Sequence, residues 1–188
     1  MSYPYYKFLD LQFKICDSFY VVESLENFNQ SRNKHWDQLF HLVSPEVFTF
    51  LKSKNIKLHN VELFYTAPYG QLPWHTDMNP PEDFVKINTV WGSSNHIMCY
   101  GEIKDKDRSF ITSKTEVNSQ YVSFNENEIA NSLSVTVDKP ILINAGRPHK
   151  IINYGSDSRW CMSLILTKQE RRILFDDALK IFSEYAVD

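Results

Sequence analysis

The stretch that organises this sequence runs from Val61 to Asp77 and reads VELFYTAPYGQLPWHTD. Its first part, Val61–Tyr65, is rich in β-branched and aromatic residues and predicts a strand. Pro68-Tyr69-Gly70 predicts the turn that ends this strand. His75 and Asp77 follow at a spacing of two, and on an extended backbone such residues project from the same face. Both side chains can therefore reach one metal ion.

The sequence after residue 60 continues as short apolar runs separated by turn signals. Asp138-Lys139-Pro140 and Tyr154-Gly155-Ser156-Asp157 are two of these signals. Many short strands at this spacing predict a mainly β fold, a double-stranded β-helix of the jelly-roll or cupin-like type. The predicted strands are Lys86–Trp91, Ile97–Ile103, Gln120–Phe124, Leu133–Val137, Ile141–Ile143, Lys150–Asn153 and Trp160–Leu166.

The two ends of the chain carry helical patterns as well as strands. Tyr6–Phe13 predicts a strand, and Ser44-Pro45 starts a helix with Ser as N-cap and Pro in the first turn. Lys168–Tyr185 predicts a closing amphipathic helix. We therefore expect a single domain over residues 1–188, with an N-terminal support over 1–60, a β core over 61–167 and a C-terminal helix over 168–188.

Composition narrows the class of protein. A chain of 188 residues with 43% hydrophobic and 14% aromatic residues can bury a substantial core. The formal net charge of −3 does not favour nucleic acid as a partner. Three scattered cysteines are typical of reduced thiols in a cytoplasmic protein. The segment Met1–Pro4 does not open a signal peptide, and no apolar run is long enough for a membrane span.

A second His-x-acid sequence, His35-Trp36-Asp37, tests how specific the first one is. Six histidines and 23 acidic residues give about one such pair by chance. The surrounding residues 31–42 predict a helix, on which positions i and i+2 point to different sides. This pair is therefore interpreted as surface and packing residues.

A distant histidine, His149, completes a possible ligand set with His75 and Asp77. Two imidazoles and one carboxylate on one face of a metal are typical of mononuclear Fe(II) oxygenases, which keep the remaining positions open. The same donors also bind zinc or another divalent ion. Read singly, each of the three is an ordinary polar residue, but that interpretation does not explain their order.

Arg159 follows His149 across the turn at residues 154–158, and the pattern predicts an antiparallel hairpin. Arg159 would lie opposite Ile152, and at ~3.3 Å per residue it would be roughly 10 Å from His149. Its planar guanidinium suits bidentate binding of a carboxylate. Along this strand, alternate residues should face inward and the others outward. The inward set is Arg159, Cys161, Ser163 and Ile165, and the outward set is Trp160, Met162 and Leu164.

His75-x-Asp77, His149 and Arg159 together resemble the signature of the Fe(II)/2-oxoglutarate-dependent dioxygenases, whose fold is a double-stranded β-helix. The resemblance covers about residues 60–167. The local sequence of Pro148–Asn153 is similar to the matching segment of prolyl and aspartyl/asparaginyl hydroxylase-like members. One departure is Cys161, which stands where many members have Ser. Ser163 is then the nearest hydroxyl on the same face.

The resemblance implies an enzyme that hydroxylates an amino-acid side chain, in a protein or free, or a small metabolite. It implies Fe(II), O₂ and 2-oxoglutarate, with release of succinate and CO₂. His75, Asp77 and His149 would be the catalytic metal ligands, and Arg159 would anchor 2-oxoglutarate. Tyr65 resembles a tyrosine that contacts the cosubstrate, although a packed aromatic explains it equally well.

Three residues are candidate substrate contacts. Trp91 is a candidate pocket wall, Asn88 alternates with Lys86 and Val90 on a predicted strand, and Arg147 lies two residues before His149 and can share its face. Each also has an ordinary interpretation: packing for Trp91, and a solvated loop charge for Arg147. The polar segment Lys104–Ser132 predicts edge loops or a lid, which in such folds often select the substrate.

Two other functions fit the same pattern. A non-catalytic jelly-roll module would bind a peptide or small acid, and a cupin-like metalloenzyme would use the three ligands without 2-oxoglutarate. The sequence leaves the substrate open between a small molecule and a peptide or protein. It also leaves the oligomeric state open, and it gives no indication of a membrane partner.

Overall fold

The computed structural model describes residues 5–23, 25, 31–77, 82–105, 110 and 112–187. Met1–Pro4, on which the expectation about a signal peptide rests, lies outside the described residues. The helices are α1 (Ser18–Glu23), α2 (Pro45–Ser53) and α3 (Phe175–Ile181). The strands are β1 (Tyr6–Leu9), β2 (Lys34–Trp36), β3 (Lys57–Thr66), β4 (Gln71–Asp77), β5 (Val85–Gly92), β6 (His96–Ile103), β7 (Thr112–Lys114), β8 (Gln120–Ser123), β9 (Ile129–Val135), β10 (Ile141–Asn144), β11 (His149–Asn153), β12 (Arg159–Lys168), β13 (Arg171–Arg172) and β14 (Ala186–Val187).

The strands form two sheets. Sheet 1 has the order β14-β1-β10-β5-β12-β3-β2. The short strand β13 also belongs to this sheet and pairs with β12. Sheet 2 has the order β7-β8-β4-β11-β6-β9. The strand pairs in both sheets are antiparallel, with short irregularities at Ile165/Leu166 in β12 and His149/Ile151 in β11.

The path of the chain between the sheets defines the fold. Beginning at β3, the chain passes from sheet 1 to β4 in sheet 2, returns to β5, and crosses again to β6. After β9 it repeats this movement through β10, β11 and β12. Two sheets wound in this way form a double-stranded β-helix, so the fold class predicted from the alternating strands is confirmed.

The predicted hairpin between β11 and β12 is wrong. β11 pairs with β4 and β6 in sheet 2, whereas β12 pairs with β3 and β5 in sheet 1. The turn at residues 154–158 therefore carries the chain across the gap between the sheets. Arg159 is not beside Ile152 but enters the interior from the facing sheet, where it pairs with Thr66 and Gly92.

The predicted alternation along β12 is confirmed. Trp160, Met162 and Leu164 belong to a large apolar core on the outer side of sheet 1. Helices α2 and α3 cover this side through Leu51, Phe175 and other buried residues. The odd-numbered residues of β12 face the space between the sheets, and almost the whole strand is buried as a result. β12 is thus a central strand that separates the packing core from the interior cavity.

The terminal elements differ in part from the sequence prediction. Helix α2 begins at Pro45 as predicted, and the Ser44 hydroxyl donates a hydrogen bond to the Lys14 carbonyl. The C-terminal helix is much shorter than expected because the chain first adds strand β13 to β12 and turns before α3. Within the described residues, no helix combines the length and the apolar character that crossing a bilayer requires.

The helix predicted around His35 is also wrong, since Lys34–Trp36 form edge strand β2 beside β3. His35 is 9% exposed and its ring stacks on Phe64, with 4.2 Å between the ring centroids. An extended backbone and a neighbouring aromatic ring therefore override the local helical spacing.

Gly92 permits the close approach that brings Arg159 into position. Its φ of +92° is unfavourable for other residues, and an added Cβ would lie 2.1 Å from the Ser158 carbonyl oxygen. That carbonyl accepts a hydrogen bond from the Ser93 backbone N–H at 2.8 Å. The positive φ and the steric contact therefore both disfavour any residue other than glycine at position 92.

Gly92→Ala is expected to lower the free energy of unfolding by about 2–4 kcal/mol, because the backbone must shift at the start of β12. Urea denaturation measures this change. Ser156→Ala, in the exposed turn nearby, is the control and should leave the stability unchanged. Equal stability of the Gly92 variant would contradict the steric argument.

Candidate metal centre

Three possible metal ligands converge at the interior face of sheet 2. His75 and Asp77 lie on the last residues of β4, and His149 is the first residue of β11, directly paired with His75. One ligand atom from each residue lies within 4.8 Å of the others. The donor set of two imidazoles and one carboxylate suits a divalent first-row metal ion.

Backbone carbonyls orient the two imidazoles. His75 Nδ1 lies 2.7 Å from the Pro73 carbonyl oxygen, and His149 Nδ1 lies 2.8 Å from that of Arg147. A carbonyl only accepts hydrogen bonds, so each Nδ1 carries the proton and donates it. Each Nε2 is then left with its lone pair, which is the arrangement that metal-binding histidines require.

Asp77 reaches the site with only one of its oxygens free. Lys86 Nζ lies 2.7 Å from Asp77 Oδ2 and 2.8 Å from Glu62 Oε2. Asp77 Oδ1 instead faces His75 Nε2 at 4.0 Å. The ammonium of Lys86 therefore leaves Oδ1 as the oxygen available to a metal ion.

Charge and burial set the protonation states of this group. Burial opposes ionisation of Asp77, but Lys86 and the two histidines more than offset it and hold its pKa well below the usual value. Burial, with a smaller contribution from His75, lowers the pKa of His149 to about 4. Burial would also lower the pKa of Lys86, yet Asp77 and Glu62 raise it. At neutral pH the centre thus offers a carboxylate and a neutral His149, the forms that bind metal.

Arg159 occupies a small pocket beside the ligands. The residue is 1% exposed, and its Nε atom has no hydrogen-bond partner among the described residues. Burial lowers its pKa, and the neighbouring Cys161 thiol is its hydrogen-bonded partner. Within the described part of the chain no carboxylate pairs with this buried guanidinium. A buried cation without an anion is costly, so the pocket suits an anionic ligand.

The predicted polar neighbours Asn88 and Ser163 also line this pocket, together with Asp77 and His149. The Ser163 hydroxyl donates a hydrogen bond to Asn88 Oδ1. The structure therefore brings Arg159, Asn88 and Ser163 together on the inner face of sheet 1, opposite the ligands on sheet 2.

Three other predicted site residues lie elsewhere. Tyr65 and Trp91 project to the outer side of sheet 1, where both rings pack against Trp160. Arg147 forms an ion pair with Asp83 at 2.8 Å, and both side chains are partly exposed. The structure thus places Tyr65 and Trp91 on the outer side of sheet 1, away from the ligands, and it pairs Arg147 with Asp83 at the surface.

A second cavity, of about 590 Å³, is lined by His75 and Asp77. Its inner wall contains three residues that the sequence interpretation did not place in the site, namely His35, Glu62 and Lys86. Strand alternation gives a signal for two of them, because Glu62 shares a face with Phe64 and Lys86 shares one with Asn88. The residues around His35 have helical spacing, so the sequence pattern gives no signal for its place in the cavity wall.

Comparisons with known proteins support the fold. No protein-family model and no curated protein matches the chain. Apo HygX from Streptomyces hygroscopicus aligns with 87% of this chain and 82% of its own, at TM-score 0.50 and 11% identity. HygX with nickel and 2-oxoglutarate bound aligns over 82% and 76%, at TM-score 0.47 and 11% identity. E. coli ycfD aligns over 74% of this chain and 36% of its own length, at TM-score 0.43 and 10% identity. The chain thus spans about a third of ycfD, and the likeness to apo HygX establishes a shared fold.

Lys86→Met is expected to lower the free energy of unfolding of the metal-free protein by about 3–5 kcal/mol, because Asp77 and Glu62 lose their shared cation. Urea denaturation at neutral pH measures the loss. The double variant Lys86→Met/Glu62→Gln should recover part of it, since one buried charge is removed together with its partner.

The control for this prediction is Lys57→Met, which removes the exposed ion pair of Lys57 with Glu170. Screening by water makes that pair weak, so the variant should unfold at the same urea concentration as the parent protein. A Lys86 variant as stable as the Lys57 variant would show that the interior charges do not depend on Lys86.

Proposed function

We propose that this protein is an Fe(II)- and 2-oxoglutarate-dependent dioxygenase that hydroxylates a small molecule or an amino-acid side chain, free or in a peptide. The observation that carries the proposal is the position of Arg159. A buried guanidinium, which pairs with no carboxylate of the described residues, lies in a pocket lined by two of the three metal ligands, Asp77 and His149. This arrangement provides for a metal ion and a carboxylate at the same time.

His75, Asp77 and His149 would hold the metal ion on one face and leave the other face open. Their carbonyl and ammonium partners fix the three donor atoms before a metal arrives, which reduces the cost of ordering them. When bound, the metal and its keto-acid cosubstrate supply the oxidising chemistry, with O₂ as oxidant and succinate and CO₂ as products.

Arg159 would bind the distal carboxylate of 2-oxoglutarate. Its planar fork matches a carboxylate in two parallel hydrogen bonds, and burial strengthens them because water does not compete. Asn88 and Ser163 offer further polar atoms in the same pocket. The apolar residues Met98, Ile143 and Ile151 close its remaining sides and exclude water.

The structure also bears on the alternative functions. A cupin-like enzyme without a diacid would leave the buried charge of Arg159 without a function. The presence of this charge favours a carboxylate cosubstrate. HygX, whose apo structure shares this fold, has also been solved with nickel and 2-oxoglutarate bound, which is consistent with the proposal.

Anaerobic addition of Fe(II) and then 2-oxoglutarate to the purified protein is expected to produce a weak visible absorption band, because the keto acid chelates the metal. His75→Ala should show no band, and Zn(II) in place of Fe(II) should show none. His59→Ala changes an exposed histidine and serves as the control. A parent protein that binds Fe(II) without developing a band would point to the cupin-like or binding-module function.

Arg159→Met is expected to weaken the apparent affinity for 2-oxoglutarate by about 10- to 100-fold, since a charge-assisted carboxylate contact is lost. Metal affinity should change little. Arg147→Met removes an arginine outside the pocket and should bind 2-oxoglutarate like the parent. Titration of the absorption band with 2-oxoglutarate measures this affinity for the parent and both variants. An unchanged affinity in Arg159→Met would contradict the role of Arg159 in binding 2-oxoglutarate.

A further inference from the structure

Arg172 is a half-buried guanidinium in the wall of the 590 Å³ cavity. Its Cζ atom lies 4.7 Å from the centroid of the Phe84 ring, so one flat face of the guanidinium is covered. Among the described residues, Arg172 pairs with no carboxylate. The N–H groups of a guanidinium all lie in its plane, so stacking on a ring leaves them free to donate to an acceptor.

The surroundings of Arg172 hold it in place. Its backbone pairs with Thr167 as part of strand β13. Ile173 follows, and its carbonyl accepts a hydrogen bond from the Val85 backbone N–H at 2.9 Å. The Phe84 ring is 1% exposed and belongs to a buried apolar cluster. A paired backbone and a fixed ring restrict the conformations of Arg172, which lowers the entropy cost of binding a ligand.

The register of sheet 1 gives the position of Arg172 relative to the metal centre. On one side of β12, Thr167 pairs with Lys57 of β3, so β13 lies on the other side, in line with β5. On that same side, Ile165 pairs with Lys86, which binds the carboxylate ligand of the centre. Ile165 and Thr167 are two positions apart, so the backbones of Lys86 and Arg172 are separated by roughly 7 Å.

Arg172 is also well separated from Arg159, the other arginine of the interior. Arg159 begins β12, whereas Arg172 pairs near the end of that strand. At ~3.3 Å per residue, the two backbones are roughly 25 Å apart. Asp77 lines both the pocket of Arg159 and the cavity of Arg172. The metal ligands therefore lie between two arginines, and one small anion cannot bind both.

The carboxylates that line the cavity are already paired with lysines. Glu62 and Asp77 share one ammonium group, and Glu116 pairs with another lysine at 3.4 Å. Within the described part of the cavity wall, no carboxylate remains for Arg172. The wall thus carries an excess of positive charge at this guanidinium, and that charge favours an anionic ligand.

We propose that Arg172 binds a carboxylate group of the substrate, and that the substrate is an organic acid. The inference rests on the proposed function, which makes this cavity the substrate site. One guanidinium fork matches one carboxylate in two parallel hydrogen bonds. Phe64, Leu72 and Ile165 also line the cavity and offer apolar contacts to the body of the acid. Two of the three metal ligands line it too, so the carbon atoms of the bound acid share their space.

The test is ligand-observed NMR with carboxylic acids of about four to nine carbons, each paired with its primary amide. The amide keeps the shape of the acid and removes the charge. The full-length protein is used without metal, so that the acids cannot bind to an ion. The parent should bind the acid about tenfold more tightly than the amide. Arg172→Gln should lose this preference because the charged fork is removed.

Two variants serve as controls, and thermal melting shows that each protein is folded. Arg171→Gln changes the preceding residue of β13, which is exposed and lies outside the cavity wall, and it should keep the preference. Arg159→Met should keep it as well, because the acid does not bind in the 2-oxoglutarate pocket. A preference that is lost in Arg159→Met would overturn the proposal.

Three further results would overturn the proposal. Equal binding of acid and amide by the parent would assign Arg172 to packing on Phe84. A preference that survives in Arg172→Gln would place the acid elsewhere. Tighter binding of matching phosphate monoesters would reject a carboxylate as the recognised group.

The Fe(II) and 2-oxoglutarate titration is independent of this experiment. A preference for acids without an absorption band would retain the Arg172 subsite and reject the oxygenase. A band without the preference would reject the subsite alone.

Discussion

The ammonium group of Lys86 is the contact on which the interior of this protein depends. It projects from sheet 1 and binds Asp77 of sheet 2 and Glu62 of its own sheet, all within the buried space between them. Either carboxylate without this cation would bear a large desolvation cost. The cation also determines which oxygen of Asp77 remains free. One buried charge thus joins the sheets, permits an acidic ligand in the interior and orients it.

The sequence predicts those features that depend on short-range patterns. Period-two alternation gives the strand-rich fold, and it correctly separates the inward Arg159 from the outward Trp160 along β12. The spacing of His75 and Asp77 on an extended strand predicts that both point the same way, and the structure agrees. These features follow from residues within a few positions of each other, which a single sequence records directly.

Features that depend on the partner of a strand were not predictable in the same way. A turn signal at residues 154–158 does not say whether the next strand stays in the same sheet, and the structure shows that it crosses to the other. Its resemblance to a cosubstrate-binding tyrosine predicts Tyr65 in the site, but its position in the alternation of β3 points the side chain outward. His35 shows helical spacing and yet lies in an edge strand, because Phe64 and Thr115 stabilise it there. Long-range pairing decides each of these cases.

The turn between β7 and β8 has a consequence for how this protein can diversify. Thr115 and Ser119 lie at the two ends of this turn. Their hydroxyl groups form hydrogen bonds with His35 and Glu62, respectively. The metal ligands, in contrast, belong to β4 and β11 in the centre of sheet 2. A short contiguous piece of the gene therefore shapes the cavity wall, separately from the pieces that encode the ligands. Natural variation or loop grafting at this turn can change which molecules fit the cavity. The geometry of the metal-binding residues then stays the same.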